Sequence, residues 1–347
     1  MQYFCVIMQK FFLILIVAAA GLGMFFTKNS ATLPTIEPAN ATVTSQKCPD
    51  NPEELGAVCW LRSLDSALVT ATATQKPILI LFQEVPGCSN CTRFGNSTLT
   101  HPLIVEAMED LFVPLCIYNN NKGEDAKVLK KYDEPAWNNP VVRIVDQKGA
   151  DLTARMPDFR SQSDIINGMC AALKALGKTP PAYLSLLQEE LGARERGLDT
   201  ATFSMYCFWS GEGTLGHVPG VIETEPGFQN GKEVVKVVFD PMQTSEAQLS
   251  DLATGKGMET CSSNKGFRLD KEPKYYLSNS RWKTVPMTTL QSCRANSLIG
   301  QGQSPESVLS PRQVALFQKH SAEKSGKYPS AIGNRDLAGA WQRAEKP

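Results

Sequence analysis

The sequence is poor in histidine. Only His101, His217 and His320 occur in 347 residues, far apart. No Cys/His pattern has zinc-site spacing, so no structural metal is expected. No sign of charge is in excess: Lys+Arg and Asp+Glu are 35 each. That balance argues against a nucleic-acid clamp, which needs surplus base to displace counterions. The chain has no Gly-rich dinucleotide loop, no Ser/His/Asp arrangement and no internal repeat. Ten cysteines in so long a chain do not make a small disulfide scaffold. What is there is globular: 42% hydrophobic and 20% charged residues exclude wholesale disorder. The length suggests two domains with extras, and the remaining chemistry is sulfur chemistry that needs no organic cofactor.

The N-terminus bears on the compartment. Phe11–Phe26 carries no charge and follows Lys10, the pattern of a secretory signal or an uncleaved membrane anchor. The expectation is a signal or anchor over 1–28, then a Thr/Pro/Ala-rich linker over 29–52. The rest is then exported, to the periplasm or another extracytoplasmic space that permits disulfides.

From 53 to 177 the pattern predicts alternating helices and strands. Ile78–Phe82, Phe112–Tyr118 and Pro140–Val145 are short apolar runs, which read as buried strands. Ala150–Ala154 is expected to be a partner strand after the turn at Asp146–Gly149. Helices are expected over Leu61–Ala73, over Thr92–Leu111 with a break at His101-Pro102, over Asp125–Tyr132 and over Asp164–Leu176. Residues 178–199 are a hinge and a connecting helix with a Leu184, Leu187, Leu191 stripe. A second α+β domain is expected over 200–323. It has strands at Ala201–Tyr206, Val221–Thr224 and Glu233–Asp240, and a helix at Phe208–Leu215. Helix caps are expected at Ser245 and Ser310. Residues 324–347 read as a loose polar tail.

Cys88-Ser-Asn-Cys91 lies between a strand and a helix. A sulfur at a helix N-terminus meets unpaired amides and the positive end of the dipole, which favour the thiolate. The second sulfur lies about one turn on, where it can resolve a mixed disulfide. Strand before and helix after separate a redox pair from half a zinc site.

These residues, the βαβα-ββ-α order, and Asn139-Pro140-Val-Val opening a later strand resemble the thioredoxin superfamily over about 53–177. The resemblance implies that Pro140 is cis and lies beside the cysteine pair, in contact with substrate. Gly87 stands where thioredoxins proper carry tryptophan. Val85-Pro-Gly-Cys88 is similar to a branch in which selenocysteine occurs at the first redox position, which implies that Cys88 attacks.

Cys207 also ends a strand and opens a helix. Phe208 and Trp209 offer an apolar rim suited to a methyl thioether, and Glu212 offers a carboxyl proton donor. Read singly, each residue is an ordinary core residue. Together, Tyr206-Cys-Phe-Trp-Ser-Gly-Glu212, Val218-Pro-Gly-Val-Ile-Glu-Thr-Glu-Pro-Gly-Phe228 and Glu233-Val-Val-Lys-Val-Val-Phe-Asp-Pro241 resemble the A-type peptide methionine sulfoxide reductases over about 201–253. The resemblance implies that Cys207 attacks the sulfoxide sulfur, Glu212 protonates its oxygen, and Phe208 and Trp209 hold the methyl group. Tyr275 and Tyr276 are candidates for binding the oxygen. Met205 and Tyr206 replace the family's glycines, a bulk expected to narrow the site.

Among the other cysteines, Cys261 in a Gly/Ser loop is the favoured resolving thiol. Cys48 and Cys59 are candidates for a structural disulfide. Cys116 and Cys170 read as core.

The combined expectation is an α/β fusion. A thioredoxin-like module supplies electrons to a peptide-methionine (S)-S-oxide reductase module, acting on free or protein-bound methionine sulfoxide with a thiol–disulfide exchange partner as donor. The alternative is a general disulfide reductase or isomerase whose second module is degenerate and only binds substrate.

Overall fold

Helix α1 (Leu64–Thr74) is capped by Ser63 and leads into strand β1 (Ile78–Gln83), which is buried along its whole length. The computed structural model describes residues 51–157, 161–323 and 327–346. The expected signal or anchor at 1–28, most of the linker and Cys48 lie outside the described residues. Among the described residues no helix is long and apolar enough to cross a membrane.

In the first module β1 is followed by helices α2 (Ser89–Ser97) and α3 (Pro102–Leu111), strand β2 (Val113–Tyr118), helix α4 (Glu124–Lys131), strands β3 (Val141–Val145) and β4 (Met156–Pro157), and helix α5 (Gln162–Ala175). The sheet order is β2-β1-β3-β4, with β1 parallel to β2 and antiparallel to β3. Apolar side chains on both faces explain the continuous runs in the sequence: Leu79 and Leu81 pack into one cluster, Ile78, Ile80 and Phe82 into another. The expected break at His101-Pro102 separates α2 from α3, with Pro102 at the first helical position.

The partner strand differs from expectation. Over Ala150–Ala154 only Asp151 bridges to Val145, and the ladder is carried instead by Met156, opposite Val142. Between them the chain bulges so that the Arg155 guanidinium reaches the buried Glu134 carboxylate at 2.7 Å. Arg143 binds the same carboxylate at 2.6 Å. With both arginines in place the buried carboxylate is not left as an uncompensated charge.

Helix α6 (Ala182–Arg196) connects the modules. Tyr183, Leu184 and Leu187 are buried in the first module's core, so the connection is a packed helix. The second module contains β5 (Asp199–Ser204), α7 (Phe208–Leu215), β6 (Val221–Gln229), β7 (Lys232–Phe239), α8 (Glu246–Thr254), β8 (Glu259–Thr260), β9 (Arg268–Leu269), α9 (Tyr275–Ser278), α10 (Thr289–Gly300) and α11 (Pro311–Ala322). Its sheet order is β8-β5-β7-β6-β9, and all pairs are antiparallel. Capping boxes at Ser245 and Ser310 start α8 and α11.

The stretch read as a loose tail contains helix α12 (Leu337–Ala344). Leu337 enters the first module's core and Trp341 packs against it. Its Leu-Ala-x-Ala-Trp stripe is short, and it becomes a helix because that core has a face to cover.

Specific polar contacts fasten the second module to the first. The Arg312 amide, at the start of α11, donates to Glu106 Oε1 at 2.8 Å, and its guanidinium binds Glu109 at 2.7 Å and Asp110 at 3.0 Å. Glu190 of α6 accepts the Leu290 amide at 2.9 Å. Arg312 meets the last turns of α3, which feed the first residue of β2. The docking therefore lies at the opening end of the parallel strands, and the Cys88 loop leaves their closing end.

Candidate functional site

Cys88 is the N-cap of α2, and its Sγ accepts the Cys91 amide at 3.2 Å. Cys88 is partly exposed and Cys91 is buried; both are free thiols. Burial pushes the Cys91 thiol well above its usual range, and the hydrogen bond with Cys88 adds to that. One sulfur therefore meets solvent while the other waits behind it.

The loop before Cys88 is held from three sides. Asn120 Nδ2 donates to the Val85 carbonyl at 3.1 Å. Glu54 Oε1 accepts the Gly87 amide at 3.4 Å. Gly87 has φ +125°, where a side chain is strained. Glu53–Leu55 lies so close to α2 that a Cβ at Gly95 would stand 1.9 Å from the Glu53 carbonyl. Pro140 follows a cis peptide bond, as does Pro86. Because Val141 pairs with Phe82, Pro140 sits at the end of β1 from which the Cys88 loop departs. Asn139 Nδ2 reaches Glu84 Oε2 at 3.4 Å, joining the proline loop to the cysteine loop.

The second cysteine site is built by a hairpin. β5 pairs with β7, and the Met205 amide binds the Glu233 carbonyl at 3.1 Å. Cys207 follows as the N-cap of α7 and is partly exposed. The carboxylate beside this helix start is Glu233: its Oε2 accepts the Phe208 amide at 2.9 Å. Sequence reading placed Glu233 only at the head of a strand. The available signal was its register, since β7, returning from the β6–β7 hairpin, pairs with β5 and so brings its first acid to the cysteine that follows β5.

Glu212 is placed elsewhere. Its side chain is fully buried and paired with Lys274 Nζ at 3.2 Å. Its Oε2 accepts the Lys274 amide at 3.0 Å, and the Thr224 hydroxyl donates to Oε1 at 3.4 Å. Burial pushes the Glu212 carboxyl up, against the pull of the Lys274 ammonium. Burial also works against the ammonium, and the carboxylate outweighs it and keeps Lys274 protonated. These contacts occupy both Glu212 oxygens in an internal ion pair.

The aromatic candidates close on one another. Phe208 is buried edge-on to Phe228, with ring centres 5.3 Å apart. Trp209 stacks on Tyr275 at 3.8 Å. Tyr276 meets Tyr275 edge-on and packs against Gly213 and Gly300. The bulky pair before Cys207 parts company. Met205 lies against Gly211 under the helix, and Tyr206 is 98% exposed.

Cys261 follows β8, with its amide on the Thr202 carbonyl at 2.8 Å. Burial raises its thiol, against a hydrogen bond from Ser204. It lies along the strand that leads to Cys207 and is a free thiol. Cys59 is disulfide-bonded. Among the described residues no group of His, Cys, Asp and Glu is arranged to hold a metal ion.

Residues 59–147 match a family model described as thioredoxin-like. A peptide methionine sulfoxide reductase from Methanoculleus marisnigri is 37% identical over 76 residues, covering 17% of this chain and 46% of that protein. The enzyme of the same name from Rhodospirillum centenum is 39% identical over 70 residues, 15% of this chain and 32% of the relative. The chain thus spans less than half the length of these curated relatives. Among solved structures, a DsbH oxidoreductase is 17% identical with TM-score 0.30, covering 38% of this chain and 95% of its own. A thioredoxin from Thermus thermophilus is 18% identical with TM-score 0.30, covering 34% and 91%. The chain therefore carries a thioredoxin-like domain at residues 59–147, in an α/β protein that also shares a segment with peptide methionine sulfoxide reductases.

Proposed function

We propose that the protein is a thiol–disulfide oxidoreductase working through Cys88 and Cys91. The observation that carries this reading is the Cys88 sulfur on the Cys91 amide, partly exposed in front of a buried second thiol. Cys88 as thiolate attacks a partner disulfide; that S–S bond breaks and a mixed disulfide forms. The partner's second sulfur leaves as thiolate and takes a proton. Cys91 then loses its proton and attacks the Cys88 sulfur. The partner leaves with both thiols reduced, and the chain keeps a Cys88–Cys91 disulfide. Insulin reduction with a dithiol donor tests it. Cys88→Ser should abolish turnover, and Cys91→Ser should accumulate the mixed disulfide, visible by mass. Unchanged turnover in Cys88→Ser would overturn the reading.

A second reading is favoured by Glu233 beside Cys207: reduction of peptide methionine (S)-sulfoxide. Cys207 attacks the sulfoxide sulfur, and the oxygen passes to the cysteine as a sulfenic acid with a proton from Glu233. Methionine leaves, and a thiol then reduces the sulfenic acid to a disulfide with loss of water. We assign Cys88–Cys91 as the donor of those electrons. Among the described residues the contacts of Arg312 and Glu190 that join the modules contain neither site, and we take delivery to run between molecules. Incubation with separated sulfoxide epimers tests this. The S epimer should be consumed, and Cys207→Ser should stop it. Export to an oxidising compartment is part of the proposal, supported by the disulfide at Cys59.

A further inference from the structure

An exposed tryptophan stands at the rim of the Cys88 site. Trp137 is 82% exposed. It occupies the corner of a turn closed by the Asn138 amide on the Pro135 carbonyl at 3.2 Å. That turn is tied down: Asn119 Nδ2 donates to the Asn138 carbonyl at 3.2 Å, and Asn139 reaches Glu84 at 3.4 Å. Three residues later comes Pro140, at the end of β1 that leads to Cys88.

The folded core does not need the indole. A large aromatic left in water on a fixed turn is the arrangement of an interface anchor, which offers much apolar area at low entropic cost. The residue before Cys88, Gly87, has no side chain, and Pro86 and Gly87 are exposed. The cysteine loop itself therefore supplies little apolar grip.

We propose that Trp137 is the anchor on which the exchange partner docks. The occupant is an extended, cysteine-bearing protein segment, whose apolar residue beside the cysteine packs on the indole while its sulfur meets Cys88. This rests on the reading of Cys88 and Cys91 as a disulfide reductase. Trp137 acts by positioning the partner and takes no part in the sulfur chemistry.

The test is steady-state insulin reduction by Trp137→Ala and Trp137→Phe, with hydroxyethyl disulfide as a small substrate of the wild type. Expected for Trp137→Ala is a KM for insulin raised roughly tenfold with kcat kept within twofold. Trp137→Phe should restore most of the affinity. In the Cys91→Ser background, trapping at Cys88 a cysteine peptide supplied as its 2-thiopyridyl disulfide, with pyridine-2-thione as the leaving group, should also shift the Trp137 emission, read as the difference from the same trap lacking Trp137. Wild type that reduces hydroxyethyl disulfide and insulin, with an unchanged KM in Trp137→Ala, overturns the anchor alone. Wild type that reduces neither overturns the reading of Cys88, and the anchor with it.

Discussion

The Glu233 carboxylate accepts the Phe208 amide at 2.9 Å, one residue past the Cys207 sulfur. The acid that sequence reading assigned to that cysteine, Glu212, is instead occupied by Lys274. Two substitutions separate the acids. Glu233→Gln should lower sulfoxide turnover by about a hundredfold or more, the usual scale of a lost general acid. Glu212→Gln should act mainly on stability. Single-turnover rates on the S epimer, set beside urea midpoints, decide between them. A hundredfold rate loss confined to Glu212→Gln would return the role to that residue.

Lys274 and Glu212 are both buried, so removing either leaves an uncompensated group. Lys274→Met should cost roughly 3–5 kcal/mol. The double variant Lys274→Met with Glu212→Gln should recover much of that loss, because it removes both members together. Urea denaturation of the four proteins in the cycle checks this. Additive losses would mean that the pair is not coupled.

Glu106 ties the modules and titrates in an accessible range. Burial pushes its carboxyl up to about 7, against the pull of Ser310 and Arg312. A carboxyl raised on folding holds its proton longer in the native state than in the unfolded chain. Its contribution is thus most favourable below the unfolded value and is lost as pH rises to about 7. The loss is on the order of 3 kcal/mol. Glu106→Gln should flatten that part of the stability profile. Denaturant midpoints between pH 4.5 and 7.5 give the slope, and an identical slope in the variant would remove Glu106 as its source.

Gly95 and Gly211 each leave no room for a Cβ, but against different neighbours. At Gly95 the obstacle is the Glu53 backbone carbonyl; at Gly211 it is the flexible Met205 side chain. Gly95→Ala should therefore cost roughly 1–3 kcal/mol and lower insulin reduction, since Glu54 next door holds the Gly87 amide. Gly211→Ala should cost less, because Met205 can turn aside. Thermal melts of the two variants rank them.

Much of the fold follows from local patterns. Apolar runs marked β1 and β2, His101-Pro102 marked the break between α2 and α3, and serine caps marked α8 and α11. These signals span a few residues and act through backbone geometry and burial. Helix α12 was illegible because its stripe is short and its partner surface on the first module lies far away in sequence.

The sequence by itself determined where Cys88 and Cys207 stand. Cys88 and Cys207 each stand a few residues past a strand and cap the helix that follows, and that depends only on neighbouring residues. Tertiary structure decided which groups surround them. Glu233 reaches the start of α7 through strand register, Lys274 reaches Glu212 across a core, and Arg312 joins α11 to α3. Each of these depends on chain closure over many residues, where the energy of a contact appears only once the elements have packed.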